Sequence, residues 1–302
     1  MTRSEDIDGG APLPGASDVT RRVNAALSAR ALAEAESEAG DDDMPAPHHF
    51  PALTELDPTT ALRDRRALML LSIRDAGIRA PLSQEIFDEL AISIVEGRLH
   101  PGDDINSVEL ARRFKTSRTP VREALAELER HGVVVIPPRR RPYIAGATLK
   151  QIRDVYEVRA NLFTLVSETI VDRCPKSRLG VLWKWQRVLE DDVARGSSDD
   201  YFWHNVGFRM VETRLTGNAE LQRMLALLGL RTLQFRHLSL SLPGRIERSL
   251  DDHRRLLEAY EEGDKVIATT MTRSLIMSGL RAISETKQFG SRESELTNRT
   301  NA

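Results

Sequence analysis

The stretch SRTPVREALAELERHGVV, residues 117–134, carries the clearest fold signal in the chain. Ser117 or Thr119 can cap a helix at this point, and Pro120 suits a first helical turn, where its missing N–H costs nothing. Gly132 marks the end of the helix. Apolar residues recur between them at helical spacing, namely Val121, Ala124, Leu125 and Leu128. The stretch therefore predicts an amphipathic helix with a charged outer face.

The segments on either side complete a small domain. Apolar periodicity predicts one helix over residues 83–97 and a second over 108–115, so the stretch above supplies a third. Two β-rich pieces follow, at 133–136 and 142–147, around a Pro-Pro-Arg-Arg-Arg run. This order predicts a winged helix–turn–helix, a DNA-binding fold, over residues 79–148.

Basic charge is concentrated in that domain. Residues 112–141 hold nine Arg or Lys against three Glu. Arg118, Thr119 and Arg122 lie in the first turn of the third helix, the end that enters the major groove in a helix–turn–helix. A wing tip would present three more arginines, Arg139, Arg140 and Arg141. The alternative is an ordinary amphipathic helix whose charged face is only solvated.

The net charge of −2 conceals an uneven distribution. Residues 1–60 hold twelve Asp or Glu and four Arg, whereas the rest of the chain is basic, with a net charge of +6. We interpret 1–60 as a disordered acidic head, because such a composition buries too little apolar surface to fold. Residues 61–78 are expected to form an extra helix, which either packs against the next domain or touches DNA.

The remainder of the chain is predicted to be helical throughout. Breaks near residues 175, 196–198, 217–218, 243–244 and 263–264 divide residues 149–286 into an all-α bundle of about six helices. Residues 287–302 are expected to be a flexible tail. The fold class is therefore mainly α: an N-terminal winged helix–turn–helix followed by a C-terminal helical bundle.

Composition and missing motifs exclude several classes of protein. A single cysteine, Cys174, excludes an intrachain disulfide and a zinc cluster built from cysteines. No apolar run approaches the length of a membrane span, and the N-terminus does not resemble a signal peptide. We therefore expect a cytoplasmic protein without a membrane partner. GxxxxGK[ST], GxGxxG, HExxH and GxSxG are absent, which weakens an enzyme interpretation.

One pair in the helical half has the chemistry of a metal site. Asp200 and His204 are four residues apart and so share a helix face. A carboxylate and an imidazole suit zinc, nickel, manganese or iron. The alternative is a surface ion pair near a helix N-terminus.

These motifs together resemble a known family. The DNA-binding half of the chain is similar to the winged helix–turn–helix of the GntR family at Ile94-Val95-Glu96-Gly97, Pro101-Gly102, Leu110-Ala111 and above all SRTPVREAL. Downstream, the chain resembles the FCD ligand-binding domain of the FadR-like subgroup of this family at four places: VYEVRANL (155–162), Asp200 with His204, Gly217-Asn218, and His253 with Gly263-Asp264. The resemblance covers residues 79–286.

The resemblance implies a ligand-responsive transcription regulator. It is expected to be a repressor that binds a palindromic DNA operator as a homodimer and is released or repositioned by a small organic acid. Arg118, Thr119 and Arg122 match positions that contact operator bases and phosphates, and we place Ser117 and Arg113 beside them. The family often has Glu-Arg before its Leu-Ala pair, whereas this chain has Ser107 and Val108, so one DNA contact is expected to be missing.

The resemblance also extends the metal site. The FCD pattern has an Asp, a His four residues later and two further His; His253 fits the third position, and the fourth falls on Leu275. Asp200, His204 and His253 either hold zinc or nickel with open coordination positions, or the metal has been lost and the pocket binds its ligand directly. A metal-dependent enzyme using these three residues is the alternative function.

The predicted effector contacts are Arg159, His204 and His253. In the family, an arginine at the position of Arg159 points into the cavity, and its usual glutamate partner four residues later is Phe163 here. Arg159 is therefore expected to meet an effector carboxylate; the alternative is a salt bridge to an acid on a neighbouring helix.

Overall fold

The computed structural model describes residues 57–58, 65–73 and 81–286 of the 302, apart from the side chain of Leu71. A short helix comes first, then three helices and two strands that form the winged helix–turn–helix. They are α1 (Arg65–Ile73), α2 (Pro81–Val95), α3 (Ser107–Arg113), α4 (Arg118–Arg130), β1 (Val134–Val135) and β2 (Tyr143–Ile144). The strands pair antiparallel, with Val134 opposite Ile144.

The winged domain folds around the apolar faces that the sequence indicates. Ile86, Leu90 and Ile94 on α2 are buried against Val121 and Leu128 on α4. Asn106 caps α3, since its side-chain oxygen accepts from the backbone N–H of Val108 and Glu109. This packing fixes the orientation of α4 and leaves its charged face in solvent.

The helical half has seven α-helices within the described residues 149–286. They are α5 (Leu149–Arg173), α6 (Gly180–Ala194), α7 (Ser198–Leu215), α8 (Ala219–Leu227), α9 (Gly229–Leu240), α10 (Arg245–Glu262) and α11 (Lys265–Ser284), with a 3₁₀ turn at Lys176–Arg178. Thr148 and Gln151 form a capping box at the start of α5. The mainly α prediction is confirmed.

One helix break was not predicted from the sequence. Residues 219–240 are two helices rather than one, because Gly229 has a φ of +63° in the left-handed region. The surrounding Leu-Leu-Gly-Leu run lacks the polar or proline residues that usually mark a break. An added Cβ at Gly229 would lie 3.3 Å from His131 Nδ1, so this break lies where the helical half meets the winged domain.

The extra helix predicted within 61–78 is α1, and it contacts both halves. It packs against α2 of the winged domain and against α7, α8 and α9 of the helical bundle. The predicted acidic head, apart from Asp57 and Pro58, and the predicted tail 287–302 lie outside the described residues. None of the described helices is long and apolar enough to cross a membrane.

Candidate DNA interface and effector cavity

The N-terminal turn of α4 presents an exposed polar surface. Ser117 occupies the N-cap position with extended backbone, and its side chain makes no capping hydrogen bond to the described residues. Arg118, Thr119 and Arg122 follow with exposed side chains. No acidic residue lies in the first turn, so the partial positive charge of the helix end adds to that of the two arginines. This surface has the chemistry that binds phosphate and base edges.

The wing ends in three exposed arginines. Arg139, Arg140 and Arg141 lie between β1 and β2, and the Arg140 amide donates to the Pro137 carbonyl at 3.4 Å. Arg139 has a φ of +60°, a left-handed conformation that is unfavourable for a residue with a Cβ. The turn therefore directs a cluster of guanidinium groups into solvent.

Two further positions on the DNA-binding half have well-defined surroundings. Arg113, at the end of α3, is exposed and pairs with the carboxylate of Glu89 on α2. Val108, at the position where a family arginine is expected, is 52% exposed and carries no charge. The charge available to DNA thus lies mainly on α4 and the wing.

The helical bundle encloses a cavity between α5, α7, α9, α10 and α11. The cavity is small and partly open to solvent, and most of its lining side chains are polar. Four arginines line it: Arg159, Arg209, Arg236 and Arg245. Neutral polar groups come from Tyr156, Asn205, Ser239 and Ser249, and an apolar wall from Leu240, Leu275, Ile276 and Gly279.

Arg159 has the position predicted for an effector contact, and its surroundings are unusual. Its guanidinium lies over the Phe163 ring, 4.9 Å from the ring centroid, and no carboxylate among the described residues pairs with it. Burial, together with the nearby Arg209, lowers the pKa of Arg159 to about 10. The side chain is therefore a buried cation, still charged at neutral pH, in a cavity that contains other cations.

The three predicted metal ligands have separate partners. The Asp200 carboxylate accepts from Arg65 at 2.6 Å and from Ser197 at 2.7 Å, and the hydrogen bond from Arg65 lowers the Asp200 pKa. His204 Nδ1 lies 2.6 Å from an Asp192 oxygen. Neither Asp200 nor His204 lines the cavity.

His253 lies deeper in the bundle, fully buried and stacked on Phe208 with ring centroids 4.5 Å apart. Its Nε2 is 3.4 Å from Asn205 Nδ2. Burial first, and then the neighbouring arginines, lower the pKa of His253 well below its usual value, so the ring is neutral at pH 7. In the described part of the chain, no three His, Cys, Asp or Glu side chains are grouped to hold a metal ion.

Two profiles of known families match the chain over most of these elements. The family described as "Bacterial regulatory proteins, gntR family" matches residues 82–144, and the FCD domain matches residues 154–277. The chain belongs to the GntR family and carries an FCD domain. It is therefore a transcription regulator, built from a DNA-binding half and a helical half.

Individual GntR-family relatives agree with this assignment. The chain is 28% identical over 189 residues to the uncharacterized HTH-type transcriptional regulator YdhC of Bacillus subtilis, covering 62% of this chain and 84% of the relative. It is 26% identical over 210 residues to the gluconate operon transcriptional repressor of Bacillus licheniformis, covering 67% and 82%. The structure of Escherichia coli McbR/YncC has a similar fold, with a TM-score of 0.56 at 20% identity over 67% of this chain and 97% of that one.

The predicted ligand set requires a correction in this GntR-family chain. Asn205 and Arg209, not Asp200 and His204, are the residues four apart on α7 that line the FCD cavity together with Leu275. His253 is not part of the lining, but its Nε2 lies 3.4 Å from Asn205 Nδ2. Since an α-helix turns about 100° per residue, a shift of five residues moves the pair about 140° round the helix axis. The cavity thus presents an amide, a guanidinium and a leucine at these positions, with the His253 imidazole next to the amide, and this combination does not fit a divalent metal.

The predicted metal site Asp200–His204–His253 is not assembled among the described residues, because the three side chains have other partners. Of the predicted effector contacts, Arg159 lines the cavity, whereas His204 and His253 do not. The alternative of a metal-dependent enzyme is also wrong, since the family and the relatives named above are transcription regulators.

Proposed function

We propose that this GntR-family regulator is a repressor that binds a palindromic operator as a homodimer and responds to a small organic acid in the helical cavity. The observation that carries the proposal is the first turn of α4, where the side chains of Arg118, Thr119 and Arg122 are exposed to solvent. In helix–turn–helix proteins this turn reads base edges in the major groove.

Each exposed group has a role in this proposal. Arg118 and Arg122 bind guanine edges or phosphates, and Thr119 contacts a base edge or a phosphate. Ser117 and the free amides at the start of α4 bind a phosphate. Arg139, Arg140 and Arg141 grip the backbone beside the recognition helix, and Arg113 adds positive charge next to Glu89. Charge at these positions steers the protein to DNA and makes binding sensitive to salt.

Relatives support repression as the mode of action. The gluconate operon repressors of two Bacillus species and the Escherichia coli regulator RspR are repressors by name. The cavity with Arg159 supports the organic acid, because a buried guanidinium without a protein carboxylate favours an anionic ligand. Such a ligand can release the operator only if it binds the DNA-bound and the free conformations with different affinity.

Selection of bound genomic fragments by the purified full chain tests the proposal. The expected result is one enriched sequence with two-fold symmetry, bound by two chains, as measured by light scattering of the complex. Two-fold symmetry follows because a symmetric dimer places its two α4 helices on equivalent half-sites. Enrichment of an asymmetric site bound by one chain, or no enrichment at all, contradicts it.

A further inference from the structure

The cavity arginines outnumber the carboxylates close to them. Four guanidiniums line the cavity, and the buried acid among them is Glu212, which accepts from Arg209 Nη1 at 2.7 Å and from the Tyr260 hydroxyl at 3.0 Å. Half-buried Asp252 lies close enough to Arg245 to interact with it electrostatically. Counting both acids leaves two positive charges without a counterion in the described residues. Burying such charges is costly unless an anion compensates them.

Several polar atoms at the cavity have no partner within the described chain. Arg209 is 2% exposed, yet its Nη2 makes no hydrogen bond, and the same holds for Ser239 Oγ and Arg245 Nε. Buried donors almost always have a partner in folded proteins, so three of them around one cavity indicate that a ligand supplies acceptors. Guanidiniums and a hydroxyl are the donors that bind carboxylate oxygens.

The arginines also repel one another. Burial lowers the pKa of Arg236 well below its usual value, and the charges of Arg159 and Arg209 lower it further. Arg236 has one strong acceptor, since its Nη2 donates to Asn205 Oδ1 at 2.8 Å. A ligand with two negative charges would remove this repulsion, whereas a metal cation would increase it.

The same contact excludes Asn205 as a metal ligand. Its amide oxygen already accepts from Arg236, so its nitrogen faces His253 Nε2 at 3.4 Å. Arg209 lies one turn further along α7, so the two positions of this helix that face the cavity hold hydrogen-bond donors and not metal ligands.

We infer that this cavity binds a short-chain dicarboxylate without a metal, held by Arg159, Arg209 and Arg236. The proposal rests on the proposed function and narrows its organic acid to a dianion. The two carboxylates match the two uncompensated charges, and the apolar wall of Leu240, Leu275 and Ile276 suits a short carbon chain between them. Inorganic phosphate is also a multiply charged anion but has no carbon chain, so comparing its affinity with that of the dicarboxylates shows whether the carbon chain contributes to binding.

Calorimetric titration of metal-stripped full-length protein tests the inference without DNA, so its outcome is independent of operator binding. The probes are malonate, succinate and glutarate, with butyrate as a four-carbon monoanion, inorganic phosphate, and zinc chloride alone. At least one dicarboxylate is expected to bind at one per chain and at least about 10-fold more tightly than butyrate or phosphate, because a second charged contact is made. Zinc is expected to remain below about 0.2 per chain, since an assembled metal site approaches full occupancy.

Two variants locate the site. Arg159→Gln and Arg236→Gln are each expected to weaken the bound dicarboxylate about 10- to 100-fold, the range for a lost charge-assisted hydrogen bond. Arg187→Gln, which removes an exposed guanidinium from α6, is the matched control and should leave affinity unchanged. The thermal midpoint of unliganded Arg159→Gln should not fall, because the change removes an uncompensated buried charge.

Four results would overturn the inference: stoichiometric zinc binding, binding of butyrate or phosphate as tight as that of the best dicarboxylate, no binding of any of the three dicarboxylates, or equal affinity in Arg159→Gln, Arg236→Gln and wild type. Loss of operator binding with intact dicarboxylate binding would instead contradict the proposed function alone.

Discussion

The indole N–H of Trp203 donates to the carboxylate of Glu96 at 2.8 Å, which joins the FCD domain to the DNA-binding half. The Glu96 side chain is only 1% exposed and also accepts from Arg65 of α1, at 2.8 Å, and from Arg98. Arg65 in turn reaches Asp200 on α7 at 2.6 Å. One buried carboxylate thus ties together α1, the end of α2 and the first turns of α7.

Replacing Glu96 with Ala should destabilise the protein by about 1–3 kcal/mol, because the buried Trp203 N–H loses its acceptor. Urea unfolding followed by tryptophan fluorescence measures the change. Glu89→Ala is the matched control: its ion pair with Arg113 is exposed, so its loss should cost less than about 1 kcal/mol. Equal losses of unfolding free energy in the two variants would show that the buried Glu96 contacts stabilise the protein no more than an exposed ion pair does.

Removing the guanidiniums at the start of α4 should weaken operator binding without changing the fold. Arg118→Ala and Arg122→Ala are each expected to cost about 1–3 kcal/mol in binding free energy, measured by fluorescence anisotropy with the selected operator. Arg130→Ala, at the far end of the same helix and paired with Glu127, is the control and should change binding by less than about 0.5 kcal/mol. A double variant of Arg118 and Arg122 with wild-type affinity would mean that α4 is not the recognition helix.

A substitution at the wing tip is expected to weaken DNA binding without lowering the stability of the protein. Arg139 has a φ of +60°, so Arg139→Gly should relieve about 1 kcal/mol of backbone strain while removing one cation from the wing. The expected result is an unfolding free energy no lower than that of the wild type, with weaker DNA binding and a shallower salt dependence. Unchanged affinity over a range of salt concentrations would show that Arg139 does not reach DNA.

The winged domain was predictable because its signals are local. Ser117, Pro120 and Gly132 mark the ends of α4, and its inner residues follow the helical period. The same stretch also carries Arg118 and Arg122, so the fold and the candidate DNA surface both follow from one segment of sequence. The capping residue Asn106 and the break at Gly229 were missed, since neither interrupts the apolar pattern.

The cavity could not be predicted in the same way, and α7 shows why. Residues 201–209 are buried without exception, so this helix has no exposed face from which to infer which side meets the cavity. Asp200 with His204 and Asn205 with Arg209 have identical spacing, and only packing distinguishes them. Packing distinguishes Arg236 from its neighbour in the same way: Arg236 lines the cavity, whereas His237 pairs with Asp199 at 3.0 Å outside the cavity lining.

Gly207 lies between Asn205 and Arg209, and its lack of a side chain lets α7 pack against Trp185 on α6. A Cβ at this position would lie 2.3 Å from Trp185 Cη2, and the fully buried indole has no room to retreat. Gly207→Ala should therefore cost about 1–3 kcal/mol of unfolding free energy despite the better helix propensity of alanine. Gly180→Ala, at the open start of α6 with nothing within 4 Å, is the control and should be neutral or slightly stabilising. Chemical denaturation of both variants measures the difference; a Gly207→Ala protein as stable as wild type would show that α6 and α7 are not in such close contact.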